Sequence, residues 1–325
     1  MQQLLGNRKL ISQIRNAVLE DKTAHAYLLC GADGSGKRTL AGIMAQMILC
    51  PQAGCDQCAV CHKVEKGIHP DLIRVHGVTK SGAYSVDQIR EIRKDALVYP
   101  NEGRKKIYIF EQAEKMSLMA QDAFLKILEE PPAFVVFILL CSDESKLLAT
   151  VLSRVIRLAL EMPSEKESAA WLREHCEAEP SLIHMALGVA AGNPGRALEL
   201  IQGGDLEKVA QQCETFCKTL LLQTPYDLAA MSHALAADRT QFARFLEMLS
   251  LYLRDILVYK STGEQDQLIF ADSVCSMSSY YARMRTEGIG RAVEQLQQMA
   301  TLATQPISIL LLEMRLVTLV KEELI

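Results

Sequence analysis

Gly31, Gly34, Gly36 and Lys37 stand in the stretch CGADGSGKRTL (30–40) with the spacing G-x-x-x-x-G-K. In such a loop the backbone N–H groups converge on phosphate oxygens. The following helix turns its positive end to the same charge, and the lysine adds a cation on the outer phosphates. The context fits, because the apolar run AYLLC precedes the loop and TLAGIMAQMIL continues as a helix. A plain glycine-rich turn between strand and helix is the alternative reading. Hydrolysis needs more than binding: the residue after the lysine is ordinarily Ser or Thr, whose hydroxyl holds Mg²⁺. Here it is Arg38, and Thr39 lies one helical step away, rotated by about 100°.

The run KKIYIFEQAEKM should supply the acids that bind metal and activate water at the end of a strand, ordinarily Asp-Glu. It supplies Glu111 and Gln112 instead. Glu111 could reach a metal through water, but an amide such as Gln112 has no useful proton affinity at neutral pH and cannot act as a base. Arg38 and Gln112 are independent departures in the same direction: nucleotide binding is compatible with this site, and efficient hydrolysis is not expected.

Cys50, Cys55, Cys58 and Cys61 follow one another as C-x4-C-x2-C-x2-C. Four thiolates this close suit a closed, structural tetrahedral Zn²⁺ site. An iron–sulfur cluster and free thiols are the rival readings, and His62 is a substitute ligand should Cys50 prove too distant. The other six cysteines are scattered and read as small core residues.

These residues need a scaffold. AYLLC, DLIRVH, KKIYIF, FVVFILLC and VIRLAL are short apolar runs separated by helix-length segments. That alternation predicts a mostly parallel sheet with helices on both faces. Ser85 with Gln88, and Ser164 with Glu167, read as capping-box helix starts. Beyond Pro163 the pattern is helical throughout, with a break at Gly203-Gly204 and an apolar stripe of Phe242, Phe245, Leu246, Leu249, Leu253, Ile256 and Leu257. PISILLLEMRLVTLV, interrupted by Glu313 and Arg315, is too short to span a bilayer and reads as a buried helix. The expected organisation is an α/β nucleotide-fold core over 1–162 with the cysteine module at 50–61, a small helical lid over 163–208 and an all-α domain over 209–325.

The chain has 325 residues, 49% of them hydrophobic, and a formal net charge of −4. That balance argues against a free-standing nucleic-acid binder, which needs a basic face. The N-terminus has polar residues where a signal peptide would be apolar, and ten cysteines in such a chain favour thiols or metal over disulfides. The cytoplasm is the expected compartment, without membrane association.

A phosphate loop leading into a four-cysteine insertion, then HPDL (His69–Leu72), AQDAFLKILEEPP and LLATVLSRV in that order, resembles the clamp-loader AAA+ family of bacterial replication. The resemblance implies an AAA+ core, a helical lid and a C-terminal collar that joins subunits into a ring. It implies gamma/tau and delta subunits as partners, a weak or indirect contact with the sliding clamp, and primed DNA reached through the assembly. Ser153 and Arg154 match the family's Ser-Arg-Cys motif, whose arginine reaches a neighbour's ATP, with Val155 in place of the cysteine. GNPGRAL resembles the lid's sensor segment and gives Arg196 a nucleotide-facing role. Arg154 and Arg196 as ordinary surface arginines, and Glu129-Glu130 as a solvated helix end, are the alternatives. The candidate nucleotide site is thus Gly31, Gly34, Gly36, Lys37, Thr39, Glu111 and Arg196, taking ATP or ADP weakly or not at all. The resulting expectation is a non-hydrolysing stator that lends Arg154 in trans. An active motor subunit and a zinc-dependent DNA-binding protein are the competing functions.

Overall fold

The computed structural model describes residues 4–79 and 82–325, and the chain folds as two compact units. The first comprises 1–171 with 193–195, and the second 172–192 with 196–325.

The first unit is built on five strands: β1 (Ala26–Cys30), β2 (Leu72–Val75), β3 (Lys106–Phe110), β4 (Val135–Cys141) and β5 (Ile156–Ala159). They pair in the order β2-β3-β4-β1-β5, and every pairing is parallel. All five apolar runs singled out in the sequence are strands. Alternation along each strand separates two cores. Leu28, Tyr108, Phe110, Phe137 and Leu139 pack on one face with Ile89, Phe124, Ile127 and Val151, which lie on α4 (Val86–Asp95), α5 (Leu118–Glu129) and α6 (Ala149–Leu152). Leu29, Ile107, Ile109, Ile138 and Leu140 pack on the other with Ile14, Leu40, Met44 and Val64, from α1 (Arg8–Leu19), α2 (Lys37–Leu49) and α3 (Ala59–Glu65). The sheet is therefore covered on both faces, as near-continuous apolar strands require.

The caps explain where helices begin. Ser117 Oγ accepts the Ala120 N–H at the start of α5. Ser164 and Glu167 exchange the reciprocal bonds of a full capping box before α7 (Glu165–His175). At α4 only half of the box forms: Ser85 Oγ accepts the Gln88 N–H, but the Gln88 amide donates to the His76 carbonyl instead.

The second unit is helical among the described residues: α8 (Pro180–Val189), α9 (Pro194–Gly203, whose first two residues belong to the first unit), α10 (Leu206–Leu222), α11 (Pro225–Leu235), α12 (Arg239–Thr262), α13 (Ala271–Ser276), α14 (Ser278–Tyr281), α15 (Thr286–Ala303) and α16 (Ile309–Leu324). The stripe expected from Phe242 to Ile256 is buried along α12, and Leu257 is half-buried. At Gly288 a Cβ would come within 1.7 Å of the Glu323 carbonyl oxygen, so glycine is what lets α15 approach the end of α16. The reading of 306–320 as a buried helix needs correction. Only one face of α16 is covered, by Leu312, Leu316, Leu319 and Val320, while Leu310, Leu311 and Met314 are more than half exposed. The apolar composition of the run hides this two-sidedness. Among the described residues no helix is long and apolar enough to cross a membrane.

Candidate functional site

The glycine loop joins β1 to α2 at the C-terminal edge of the sheet, where ligands bind in open parallel folds. Gly36 is the N-cap of α2 with φ 92°, a left-handed conformation that favours glycine. Lys37 is buried, and its ammonium group is engaged within the loop. It donates to the carbonyls of Gly31 and Ala32, to Ser142 Oγ at 3.1 Å and to Asp33 Oδ1 at 3.3 Å. The Ser142 hydroxyl in turn donates to Asp33 Oδ1 at 2.6 Å. That bond, together with Lys37, holds the Asp33 carboxyl below its usual range. Ser142 follows β4, and the β4–β1 pairing brings it beside the loop. Sequence reasoning passed it over, although a polar residue directly after a buried strand is a signal of such a site.

The loop is also covered from outside. A Cβ on Gly36 would meet Leu4 Cδ1 at 2.5 Å, and a Cβ on Gly195 would meet the Gly34 carbonyl oxygen at 2.5 Å. Asn193 Nδ2 donates to the Asp33 carbonyl at 2.6 Å. The cavity left between Leu4, Gly34, Gly36, Thr39, Trp171 and Pro194 holds about 130 Å³. Pockets for small molecules and cofactors are ordinarily roughly 300–1,000 Å³.

Arg38 and Glu111 meet directly. Arg38 Nε lies 2.6 Å from Glu111 Oε2, and Arg74 Nη1 lies 3.3 Å from Oε1 of the same buried carboxylate. Tyr84, also buried, donates its hydroxyl to the carbonyls of Val75 and Glu111, tying the ends of β2 and β3 together. Gln112 follows with φ 51°, an uncommon left-handed position for a residue with a Cβ. Nucleotide and Mg²⁺ fit these residues poorly. The acid that would face the metal is neutralised by two guanidinium groups, and the adjacent residue is an amide. Arg74 was missed in the sequence because its role depends on β2 lying beside β3.

The four cysteines come together. Their sulfur atoms all lie within 4.8 Å of one another. Cys50 Sγ is 3.7 Å from that of Cys58 and 3.8 Å from that of Cys55, and the Cys55 and Cys61 sulfurs are 3.9 Å apart. Thiolates about 2.3 Å from one tetrahedral ion are about 3.8 Å from each other, so the donor set fits a metal ion. Its winding is tight: Ala53, Gly54 and Asp56 all have positive φ. Arg15 donates to the Gly54 carbonyl and Gln46 to Asp56, which dock the module on α1 and α2. Burial disfavours the Cys50 thiolate, but N–H groups of Cys55, Gln52 and Gly54 outweigh it and bring the thiol down to about 6. Burial pushes Cys61 up to about 12. His62 is not needed as a ligand; it is exposed and 3.9 Å from Glu65.

Arg154 sits just beyond α6. Its Nη2 donates to Glu129 Oε1 at 2.9 Å, and its Nη1 to the Thr150 carbonyl at 2.9 Å and to Ser153 Oγ at 3.2 Å. Ser153 therefore touches the arginine directly. Arg196, in the second unit, lies 3.5 Å from Glu247.

A family model described as "DNA polymerase III, delta subunit" matches residues 6–164, and one described as its C-terminal part matches 207–319. The chain is 31% identical to the DNA polymerase III subunit delta' of Pseudomonas aeruginosa, over 77% of this chain and 76% of that protein. It is 30% identical to the subunit delta' of Escherichia coli, over 70% of each. It is 27% identical to the subunit tau of Bacillus subtilis over 79% of this chain, which spans only half of that longer relative.

Proposed function

Because the chain belongs to the DNA polymerase III delta-prime family, we propose that it is the stator of a replicative clamp loader, lending Arg154 to a neighbour's ATP while its own nucleotide site is inactive. The observation that carries this reading is the closed pairing of Arg38 and Arg74 on Glu111. Phosphoryl transfer is almost entirely positioning and charge neutralisation. A site whose metal-facing acid already carries two internal cations, and whose next residue is Gln112, offers neither an open carboxylate for a metal nor a base. Arg154 stands at a partly exposed position, with its side chain 35% accessible. An arginine supplied in trans stabilises charge on the transferred phosphoryl group.

The partners in this reading are gamma/tau and delta subunits, with the sliding clamp and primed DNA reached through the assembly in the cytoplasm. Residues 163–208 act as the lid and 209–325 as the collar, where the open face of α16 at Leu310, Leu311 and Met314 is available to a neighbouring subunit. Cys50, Cys55, Cys58 and Cys61 would hold Zn²⁺, which supplies a rigid tetrahedral crosslink and no reactivity.

The test is DNA-stimulated ATP hydrolysis by the loader reconstituted with its motor subunits, clamp and primed template. Arg154→Ala in this chain should cut turnover, and Lys37→Ala should leave it unchanged. Loss of turnover on Lys37→Ala, with the chain still folded, would mean that the loop is a working ATP site and that the motor reading is the right one.

A further inference from the structure

Resting on the reading of Arg154 as an arginine finger, we propose that Glu129 is its positioning residue. Glu129 closes α5, with Glu130 as the C-cap. Two carboxylates at the negative end of a helix dipole are placed against the local field, and Lys126 is the basic residue in that last turn. A cation from elsewhere is therefore favoured at this end, and Arg154 occupies the place. Its guanidinium is fixed from two sides: by Glu129 from α5, and by the Thr150 carbonyl of α6 and the hydroxyl of Ser153, that helix's C-cap. Ser153 is itself held, donating to the Thr150 carbonyl at 3.0 Å. The two helices share one packed core through Ile127, Leu128 and Val151, so the fork is mounted on rigid elements.

This arrangement differs from a simple surface ion pair. A guanidinium has five N–H donors, and that of Arg154 donates three hydrogen bonds among the described residues. Donors thus remain for a phosphate while the side chain is already oriented. A long, flexible arginine otherwise loses rotamer freedom when it engages its target, and orientation in advance removes that loss from the reaction step. Glu129 acts through Arg154 and touches no substrate itself.

The experiment uses the full chain in the assembled loader, with ATP, clamp and primed DNA, and reads kcat and KM for ATP separately. The variants are Glu129→Ala, Glu129→Gln, Arg154→Ala and the Glu129→Ala/Arg154→Ala pair, each checked for its thermal midpoint and its incorporation into the complex. We expect Glu129→Ala to lower kcat roughly tenfold, with KM changed by less than about twofold, as for loss of a group that orients a reacting one. Glu129→Gln, which keeps a neutral hydrogen bond, should lower kcat less, and it carries the test if the alanine variant does not fold. On the Arg154→Ala background Glu129→Ala should add nothing, because its effect passes through the arginine. If Arg154→Ala itself leaves turnover intact, the finger reading falls and the positioning role with it. If Arg154→Ala slows turnover, two outcomes overturn the positioning role alone: either glutamate variant matching or exceeding wild type, or Glu129→Ala costing as much again on the Arg154→Ala background.

Discussion

Arg38 Nε and Glu111 Oε2 lie 2.6 Å apart, so the residue that displaces the metal-binding hydroxyl also neutralises the carboxylate that would face the metal. The departure at Arg38 therefore reaches the strand end as well, while Gln112 remains a separate one. Arg38 is largely exposed and Glu111 is buried, so the acid is the member that depends on the pair. Arg74, 3.3 Å from the other oxygen, gives it a second partner. Arg38→Thr should therefore restore a hydroxyl without restoring hydrolysis, because Arg74 still holds Glu111 and Gln112 is no base. The expected loss of stability is about 1 kcal/mol, between the values for exposed and buried pairs. ATP turnover should be measured in a loader whose other sites have been inactivated. Mg²⁺-dependent hydrolysis from Arg38→Thr would sink this account.

Lys37 has a structural part to play even if no phosphate reaches it. Its buried ammonium group joins two loop carbonyls, Asp33 and Ser142 across the β1–β4 pair. Lys37→Ala would remove that donor from acceptors that are themselves mostly exposed, Asp33 and Ser142 among them, at about 0.5–1.5 kcal/mol. Urea unfolding should show that loss at a temperature where ATP turnover by the assembled loader is unaffected. A variant as stable as wild type would mean that water replaces the ammonium group at no cost.

The strands and the cysteine module were legible because each is a local signal: β-branched runs between helix-length segments, and four thiols in twelve residues. What the sequence could not reveal depends on neighbours across the sheet. Arg74 reaches Glu111 because β2 lies beside β3, and Ser142 reaches Lys37 because β4 lies beside β1. Neither adjacency follows from chain order. The 306–320 run misled for a different reason, since an apolar composition on both sides of a helix carries no period to tell the covered face from the open one.

Metal removal gives a third test. The purified chain should carry about one equivalent of zinc by elemental analysis, and a strong chelator should lower its thermal midpoint by removing the binding free energy that holds the turn at Ala53, Gly54 and Asp56. Cys58→Ser should do the same without chelator. Affinity should rise with pH, since thiols such as Cys61, pushed up to about 12, must lose their protons to bind. Iron in place of zinc, or a chelator-insensitive midpoint, would rule out the structural zinc reading.

Asp71 is fully buried and its carboxylate accepts from the backbone N–H groups of Asn101, Glu102 and Gly103 at 2.5, 2.8 and 2.8 Å. It thereby fixes the turn that leads into β3 and on to Glu111. Burial alone would raise its pKa, but those N–H groups outweigh burial and hold it below the ordinary 3.8. A depressed carboxylate stabilises the fold above its unfolded pKa, and that contribution disappears as pH falls through the folded value. Asp71→Asn should therefore cost about 1–3 kcal/mol at neutral pH, from weakened charge-assisted bonds between a buried carboxylate and three backbone donors. The gap between wild type and variant should stay constant from neutral pH down to about 5, then narrow as the unfolded chain takes up the proton near 3.8 while the folded carboxylate still resists it, and level off once pH passes below the folded value. Urea unfolding of both proteins across that range measures it. A gap that already closes between pH 7 and 5 would require another titrating group in the turn, and buried His69, whose Nδ1 accepts the Asp71 N–H at 3.1 Å, is the one in place to supply it.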